Sequence, residues 1–169
     1  MQVASTPNAS APTIVWAGSN VVIAWQDERN GPANIDIFAQ SLGGSGVPQW
    51  TANGITVSGA AGNQVSPVAT SVGTAVIVAW EDMRNGPADV FAQGIAATGV
   101  VQWTPNGVPI STAGNRQGRI SAVLAPYSPT GAILVWEDDR NGATNTDIYA
   151  AKISATGVLP VLLQSLTIE

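Results

Sequence analysis

Apolar residues in this chain come in short β-branched runs, broken at close intervals by Gly, Pro, Asn and Asp. "AVIVAWED" (Ala75–Asp82) is the clearest run. As a strand it would point Val76, Val78 and Trp80 to one face and Ile77 and Ala79 to the other, so both faces are expected to be buried. "DVFAQGI" (Asp89–Ile95) reads as a second strand, reached through Asn85-Gly86, a pair that signals a tight hairpin. If Asn85-Gly86 is a two-residue turn, Arg84 pairs with Pro87 and Asp82 lies opposite Asp89.

The same line is written three times. Trp25, Trp80 and Trp136 recur at intervals of about 55 residues, each followed by Glu/Gln-Asp-x-Arg-Asn-Gly and then Asp-Ile/Val-Phe/Tyr-Ala. A second marker occurs twice, "GVPQWTANGITVS" (Gly46–Ser58) and "GVVQWTPNGVPIS" (Gly99–Ser111). A third precedes the core motif, as "PNASAP" (Pro7–Pro12), "GNQVSP" (Gly62–Pro67) and the divergent "GNRQGRI" (Gly114–Ile120). Self-similarity at such a period marks a repeat architecture. Each period holds four short antiparallel strands, and a four-stranded unit buried on both faces describes a β-propeller blade. The chain is expected to be one all-β repeat domain, 1–169, with approximate blades 1–58, 59–111 and 112–169. The third copy departs from the pattern after Gly157, where "VLPVLLQSLTIE" has neither the Trp nor the Asn-Gly.

Composition narrows the chemistry. With no Cys and no His among 169 residues, disulfides, Ser-His triads, thiol nucleophiles and nearly all zinc sites are excluded. A net charge of −5 with a single Lys, Lys152, argues against nucleic acid. No run approaches the ~18 apolar residues of a membrane span, so no membrane insertion is expected. The opening "MQVASTPNAS" lacks the basic and apolar regions of a signal peptide and reads as the start of a mature or trimmed chain.

At Trp25-Gln26-Asp27-Glu28-Arg29-Asn30-Gly31…Asp36-Ile37-Phe38 and its two later copies, the chain resembles the TolB-like β-propeller repeats of secreted and cell-surface bacterial and archaeal proteins, marked W-x-D-x-R-N-G…D-I-Y. The resemblance implies a propeller fold and a secreted or surface location. It implies little about activity, because function lies in sites grafted on folds.

The repeated charges read as structural. Two aspartates opposite each other in a hairpin repel, and Arg84 is the natural bridge between Asp82 and Asp89, its fork of donors spanning two carboxylates. Asp27, Arg29 and Asp36, and Asp138, Arg140 and Asp147, repeat that trio as a clip in each hairpin. Because those hairpins are two residues longer, their register is expected to differ. The competing reading, a calcium loop, would place Arg inside the cation's cage and lacks a following bidentate Glu, so no metal and no cofactor are expected. Trp25, Trp80 and Trp136 read as core between blades. Trp50 and Trp103 precede turns and are candidates for stacking on a ligand ring such as a sugar, although core packing is the simpler role.

Acids copied into every blade suggest scaffold rather than one active site, which needs asymmetry. The unit-specific Glu28, Asp139, Arg116 and Arg119 are isolated in sequence, and neither a sialidase Asp-box nor a phosphate-binding glycine loop occurs. The chain is therefore expected not to be an enzyme but a binding or scaffolding module. Three blades leave two apolar faces open, above a tolerable exposed patch. Propellers have four to eight blades, so a homodimer closing a six-bladed ring is expected, with a glycan or protein as ligand; the alternatives to that ring are a piece cut from a longer array and an open three-blade solenoid with capped ends. The alternative is a carbohydrate-binding, lectin-like propeller or a glycoside-acting enzyme.

Overall fold

The computed structural model describes residues 2–124 and 131–157. Its regular structure is all strand, in three antiparallel sheets that follow one another along the chain. The first sheet holds β1 (Ala9–Ala17), β2 (Asn20–Asp27), β3 (Asp36–Leu42) and β4 (Ile55–Ser58), in that order. The second holds β5 (Gln64–Val72), β6 (Ala75–Asp82), β7 (Asp89–Ile95) and β8 (Val108–Ser111). The third has three strands among the described residues, β9 (Gln117–Leu124), β10 (Gly131–Asp138) and β11 (Asp147–Ser154). The divergent stretch after Gly157 lies outside the described residues.

The sheets stack in chain order, and the alternation of the central strand decides how. Val76, Val78 and Trp80 pack onto Val22, Ala24, Ile37 and Ala39 of the first sheet. Ile77 and Ala79 face the other way, onto Ala132, Leu134 and Trp136 of the third. The second sheet is thus buried on both sides, as its unbroken apolar run requires. Two apolar cores result, one on each side of it.

Two expectations about the hairpins are corrected. Asn85-Gly86 is not a two-residue turn. The Gly86 N–H donates to the Met83 carbonyl, so Gly86 is the fourth residue of its turn, with φ 116°. Gly31 and Gly142 do the same, donating to Glu28 and Asp139. Arg84 and Pro87 therefore lie in the loop, not on a paired rung. Nor does the register differ between units. The last rung is Asp27↔Asp36, Asp82↔Asp89 and Asp138↔Asp147 in turn. Loops 28–35 and 139–146 absorb their extra residues beyond that rung.

The other Asn-Gly pairs do take the left-handed conformation throughout. Asn53 and Gly54 have φ 65° and 85°, and Asn106 and Gly107 repeat the values. Here the bend lets the chain pass against the buried indoles of Trp25 and Trp80, a distance only glycine permits.

Candidate functional site

At the end of each sheet where the β2–β3 type hairpin closes, one cluster recurs. The Trp25 indole Nε1–H donates to Asp27 Oδ2 at 2.9 Å. Arg29 forks onto the same carboxylate, with Nε to Oδ1 at 3.0 Å and Nη2 to Oδ2 at 2.7 Å, while its backbone N–H reaches Oδ1 at 2.9 Å. The guanidinium then lies over the Phe38 ring, 3.5 Å from its centroid, and its Nη2 also donates to the Asn53 carbonyl at 3.0 Å. Trp80, Asp82, Arg84, Phe91 and Asn106 repeat this arrangement. Trp136, Asp138, Arg140 and Tyr149 repeat it again, with Arg140 turning to Ser111 Oγ of the preceding sheet.

The arginine does not bridge two carboxylates. Its fork is spent on the first aspartate of each rung, because backbone and side chain of the same residue converge there two positions later. The second aspartate takes an asparagine instead. Asn30 Nδ2 donates to Asp36 Oδ2 at 2.6 Å, Asn85 to Asp89 at 3.4 Å and Asn141 to Asp147 at 2.8 Å. A cation at the first carboxylate would find the guanidinium already there. Among the described residues, no group of three or more acidic side chains is placed to hold a metal.

This division separates the two acids electrostatically. Burial pushes the Asp27 carboxyl up, but the hydrogen bonds from Arg29, Thr6 and Trp25 outweigh it and hold the group below the usual carboxylate range. Asp138 is likewise lowered, burial being overcome by Arg140 and Trp136. Asp36 and Asp89 go the other way. Burial raises each, an asparagine offsets it only in part, and the negative charge across the rung adds to the rise.

The pH dependence of stability follows from these directions. Asp27 and Asp138 contribute stability that is present above 3.8 and lost as pH falls through their lower folded values. Asp36 and Asp89 cost stability while ionised, and that cost is relieved as pH falls through their raised values toward 3.8. Urea denaturation across pH should therefore show stability rising from neutral to mildly acid pH and then collapsing below 3.8. Asp89→Asn should flatten the rise without moving the collapse.

A cleft opens beside Asp89. Asn85, Pro87 and Asp89 of one hairpin, with Thr112, Ala113, Gly114 and Asn115 of the segment leading to the third sheet, line a cleft of about 240 Å³. The Gln117 N–H bond to the Ala88 carbonyl, 2.7 Å, closes that segment onto the hairpin. The cleft joins amide, hydroxyl and carboxyl groups with two small apolar walls. Of the unit-specific residues, Asp139 touches the cleft wall, its carbonyl accepting from Asn115 Nδ2 at 3.1 Å, and Arg116 follows Asn115 and faces Glu81 at 3.9 Å. Glu28 accepts from Asn8, Asp139 accepts from Thr146, and Arg119 pairs with Glu137.

The two stacking candidates bind the chain itself. Trp50 lies on Gly99, where an added Cβ would stand 2.9 Å from the ring, and its Nε1–H donates to the Ala97 carbonyl at 3.0 Å. Trp103 contacts both Gly94 and Gly157 in the same close way and donates to Ala155. Each thus reaches from its own sheet to the next. Trp50 also borders a cavity of about 360 Å³ with Gln40, Asn53 and the N-terminal residues Gln2–Ser5.

Sequence reasoning missed what holds these tryptophans. The buried Gln40 accepts the N–H groups of Ser41 and Trp50 and donates to the Thr51 carbonyl; Gln93 does the same for Gly94, Trp103 and Thr104. Their shared place in Phe-Ala-Gln was the available signal. The contribution of Thr112–Asn115 to the Asp89 cleft had no local signal, since it depends on how two sheets meet.

The three stacked antiparallel sheets resemble part of a solved β-propeller. The solved structure described as a thermostable family-43 glycoside hydrolase superposes with a TM-score of 0.61 over 97% of this chain, at 10% sequence identity. The chain spans 56% of the length of that structure. No family model matches the sequence, and TolB-like repeats in particular find no support there. No curated protein matches it either. The structural likeness corrects the expectation that the chain is not an enzyme: the matched structure is described as a glycoside hydrolase. Repetition of acids is no ground against catalysis either, since the copies sit in unequal settings. Asp89 is buried beside a cleft, while Asp147 is half-buried.

Proposed function

We propose that this chain is a propeller segment of a carbohydrate-acting protein, and that the cleft at Asp89 takes a sugar. The observation that carries the reading is a buried carboxyl, shifted toward its protonated form, on the rim of a polar cleft in a fold shared with a glycoside hydrolase. Asn85, Asn115 and Thr112 offer the paired donors and acceptors that sugar hydroxyls require. Asp89, kept protonated to higher pH than an ordinary carboxyl, is suited to give a proton to a glycosidic oxygen.

Glycoside hydrolysis in its common form needs a second carboxylate about 5–10 Å away as nucleophile or base. Asp82 cannot serve, because Arg84 and Trp80 occupy both of its oxygens. None of the other cleft residues is acidic. Binding is therefore the first activity to test. Asp89→Asn should keep the fold and weaken binding of a cognate glycan at least tenfold, read by calorimetry against a panel of oligosaccharides. Turnover of aryl glycosides, if found, should fall by two orders of magnitude or more in the same variant. No binding by the parent chain to any glycan of the panel would sink the reading. A secreted or surface location, where glycans are met, goes with it.

A further inference from the structure

The two internal junctions are built from equivalent positions. At the first, Val22, Ala24, Ile37 and Ala39 meet Val76, Val78 and Trp80. At the second, Ile77, Ala79, Val90 and Ala92 meet Ala132, Leu134 and Trp136. Each junction also has a polar key. Gln26 Oε1 accepts the Ser66 backbone N–H at 3.0 Å, and Glu81 Oε1 accepts that of Arg119 at 2.8 Å. Ser66 and Arg119 both hold a positive φ, 55° and 49°, at a bulge in the incoming sheet's first strand.

The chain carries both halves of a third such junction, at opposite ends. By register, Ile133, Val135, Ile148 and Ala150 of the third sheet stand where Ile77, Ala79, Val90 and Ala92 stand in the second. Val90 is fully buried, whereas Ile148 is 60% exposed. Glu137 occupies the place of Glu81. On the first sheet, Val21, Ile23 and Trp25 match Val76, Val78 and Trp80; Trp25 is already buried, and Val21 and Ile23 are half-buried. Beside them, paired to Ile23 and Val21, Ile14 and Trp16 are 67% and 68% exposed. Ala11, at the position of Ser66 and Arg119, holds φ 47°. The Ser5 N–H donates to Asn53 Oδ1 at 2.9 Å, just as the Gly59 N–H, arriving from the first sheet, donates to Asn106 Oδ1 at 3.0 Å. The segment around Ser5 therefore lies where a chain arriving from a preceding sheet would lie.

We propose that the occupant of both faces, open among the described residues, is a second copy of this chain. The third sheet of each copy docks on the first sheet of the other, and two copies close a single ring of six sheets about a two-fold axis. Glu137 of one copy accepts the Ala11 N–H of the other. Six sheets fall within the range at which propellers close, and a two-fold dimer is the commonest closed assembly. The arriving Thr6–Asn8 of one copy completes a cleft over Asn141 and Asp147 of the other, as Thr112–Asn115 does over Asn85 and Asp89. The inference rests on the fold and is independent of the carbohydrate reading. The new junctions lack one element of the internal ones: Trp50 and Trp103 cross those, and no tryptophan follows Gly157 in the sequence. The dimer should therefore dissociate on dilution before the chain unfolds.

Light scattering behind a sizing column, across a dilution series, tests this. The expected particle has twice the mass of one chain at high concentration. Trp16→Glu and Ile148→Glu change side chains exposed in the single chain, so each should keep its far-ultraviolet circular dichroism and run as a monomer. Mixed, they should regain a particle of two chains, because each brings the face that the other lacks. A single-chain mass for the parent protein at every concentration overturns the proposal, whatever the variants do. So does a dimer that survives both substitutions, or a series of particles heavier than two chains, which would mean open polymers.

Discussion

Asp82→Ala is expected to destabilise the chain by about 3–5 kcal/mol, the usual cost of removing one partner of a buried ion pair. Asp82 is fully buried and accepts four hydrogen bonds, two from the Arg84 side chain, one from its backbone and one from the Trp80 indole. Alanine removes the shared acceptor of all four; Arg84 Nη2 keeps the Asn106 carbonyl, but the Trp80 N–H is left with no partner. Trp80 has no exposed surface, so its N–H can find no water. Such a loss would consume a large share of the about 5–15 kcal/mol that holds a typical domain. Removing Arg84 as well, as Asp82→Ala with Arg84→Met, should recover part of the cost, since an apolar pair of similar volume often replaces a buried ion pair without penalty. Urea midpoints of the parent, the single and the double variant check this. A single variant within about 1 kcal/mol of the parent would show that the cluster is not structurally important. The same substitution bears on the cleft. The Asp82 charge helps to raise Asp89, so its loss should move the Asp89 carboxyl down and leave it a poorer proton donor.

Gly107→Ala is expected to cost about 3–4 kcal/mol for a different reason. At φ 85° an L-residue is strained by about 1–2 kcal/mol. An added Cβ would also stand 2.5 Å from Trp80 Cη2 and 2.7 Å from the Ala92 carbonyl oxygen. The indole is enclosed between two sheets and the carbonyl belongs to β7, so neither can retreat, and forced overpacking adds about 1–3 kcal/mol. Gly73→Ala separates the two contributions. Gly73 has φ 65°, but nothing lies within 4 Å of its virtual Cβ, so only the backbone strain remains. Thermal unfolding of the two variants side by side should show Gly107→Ala as the more damaging by 1 kcal/mol or more. Equal losses would mean that the strand can shift to admit the methyl.

What could be read from the residues was whatever depends on neighbours in sequence. The alternation of Val76, Val78 and Trp80 with Ile77 and Ala79 is local, and it predicted a sheet buried on both faces and hence stacked sheets. The recurrence of Trp25, Trp80 and Trp136 predicted the repeat. What was not readable depends on the third dimension. Asn-Gly occurs both at Asn85-Gly86 and at Asn106-Gly107, yet only the second pair is left-handed throughout, because only there does the backbone cross a buried indole. Arg84 was expected between two acids, but its own backbone N–H already points at Asp82, and the fork follows. The side-chain oxygen of Gln26 or Glu81 meeting a bulge in the next sheet could not be foreseen from either segment alone. The Asp89 cleft was hidden for the same reason, being half hairpin and half linker.

The common last rung of the three hairpins has a consequence for how such a chain can change. Asp27↔Asp36 and Asp82↔Asp89 close their ladders alike, although one loop is longer than the other. Loop length is therefore uncoupled from strand pairing at this end. Lengthening a loop costs little, about 0.6 kcal/mol for each doubling, and the two extra residues of loop 28–35 leave the rung in place. Evolution, or a designer grafting foreign peptides, can thus lengthen the rim beside Asp89 around 86–87, provided that Arg84 and Asn85 stay to hold the two aspartates of the rung.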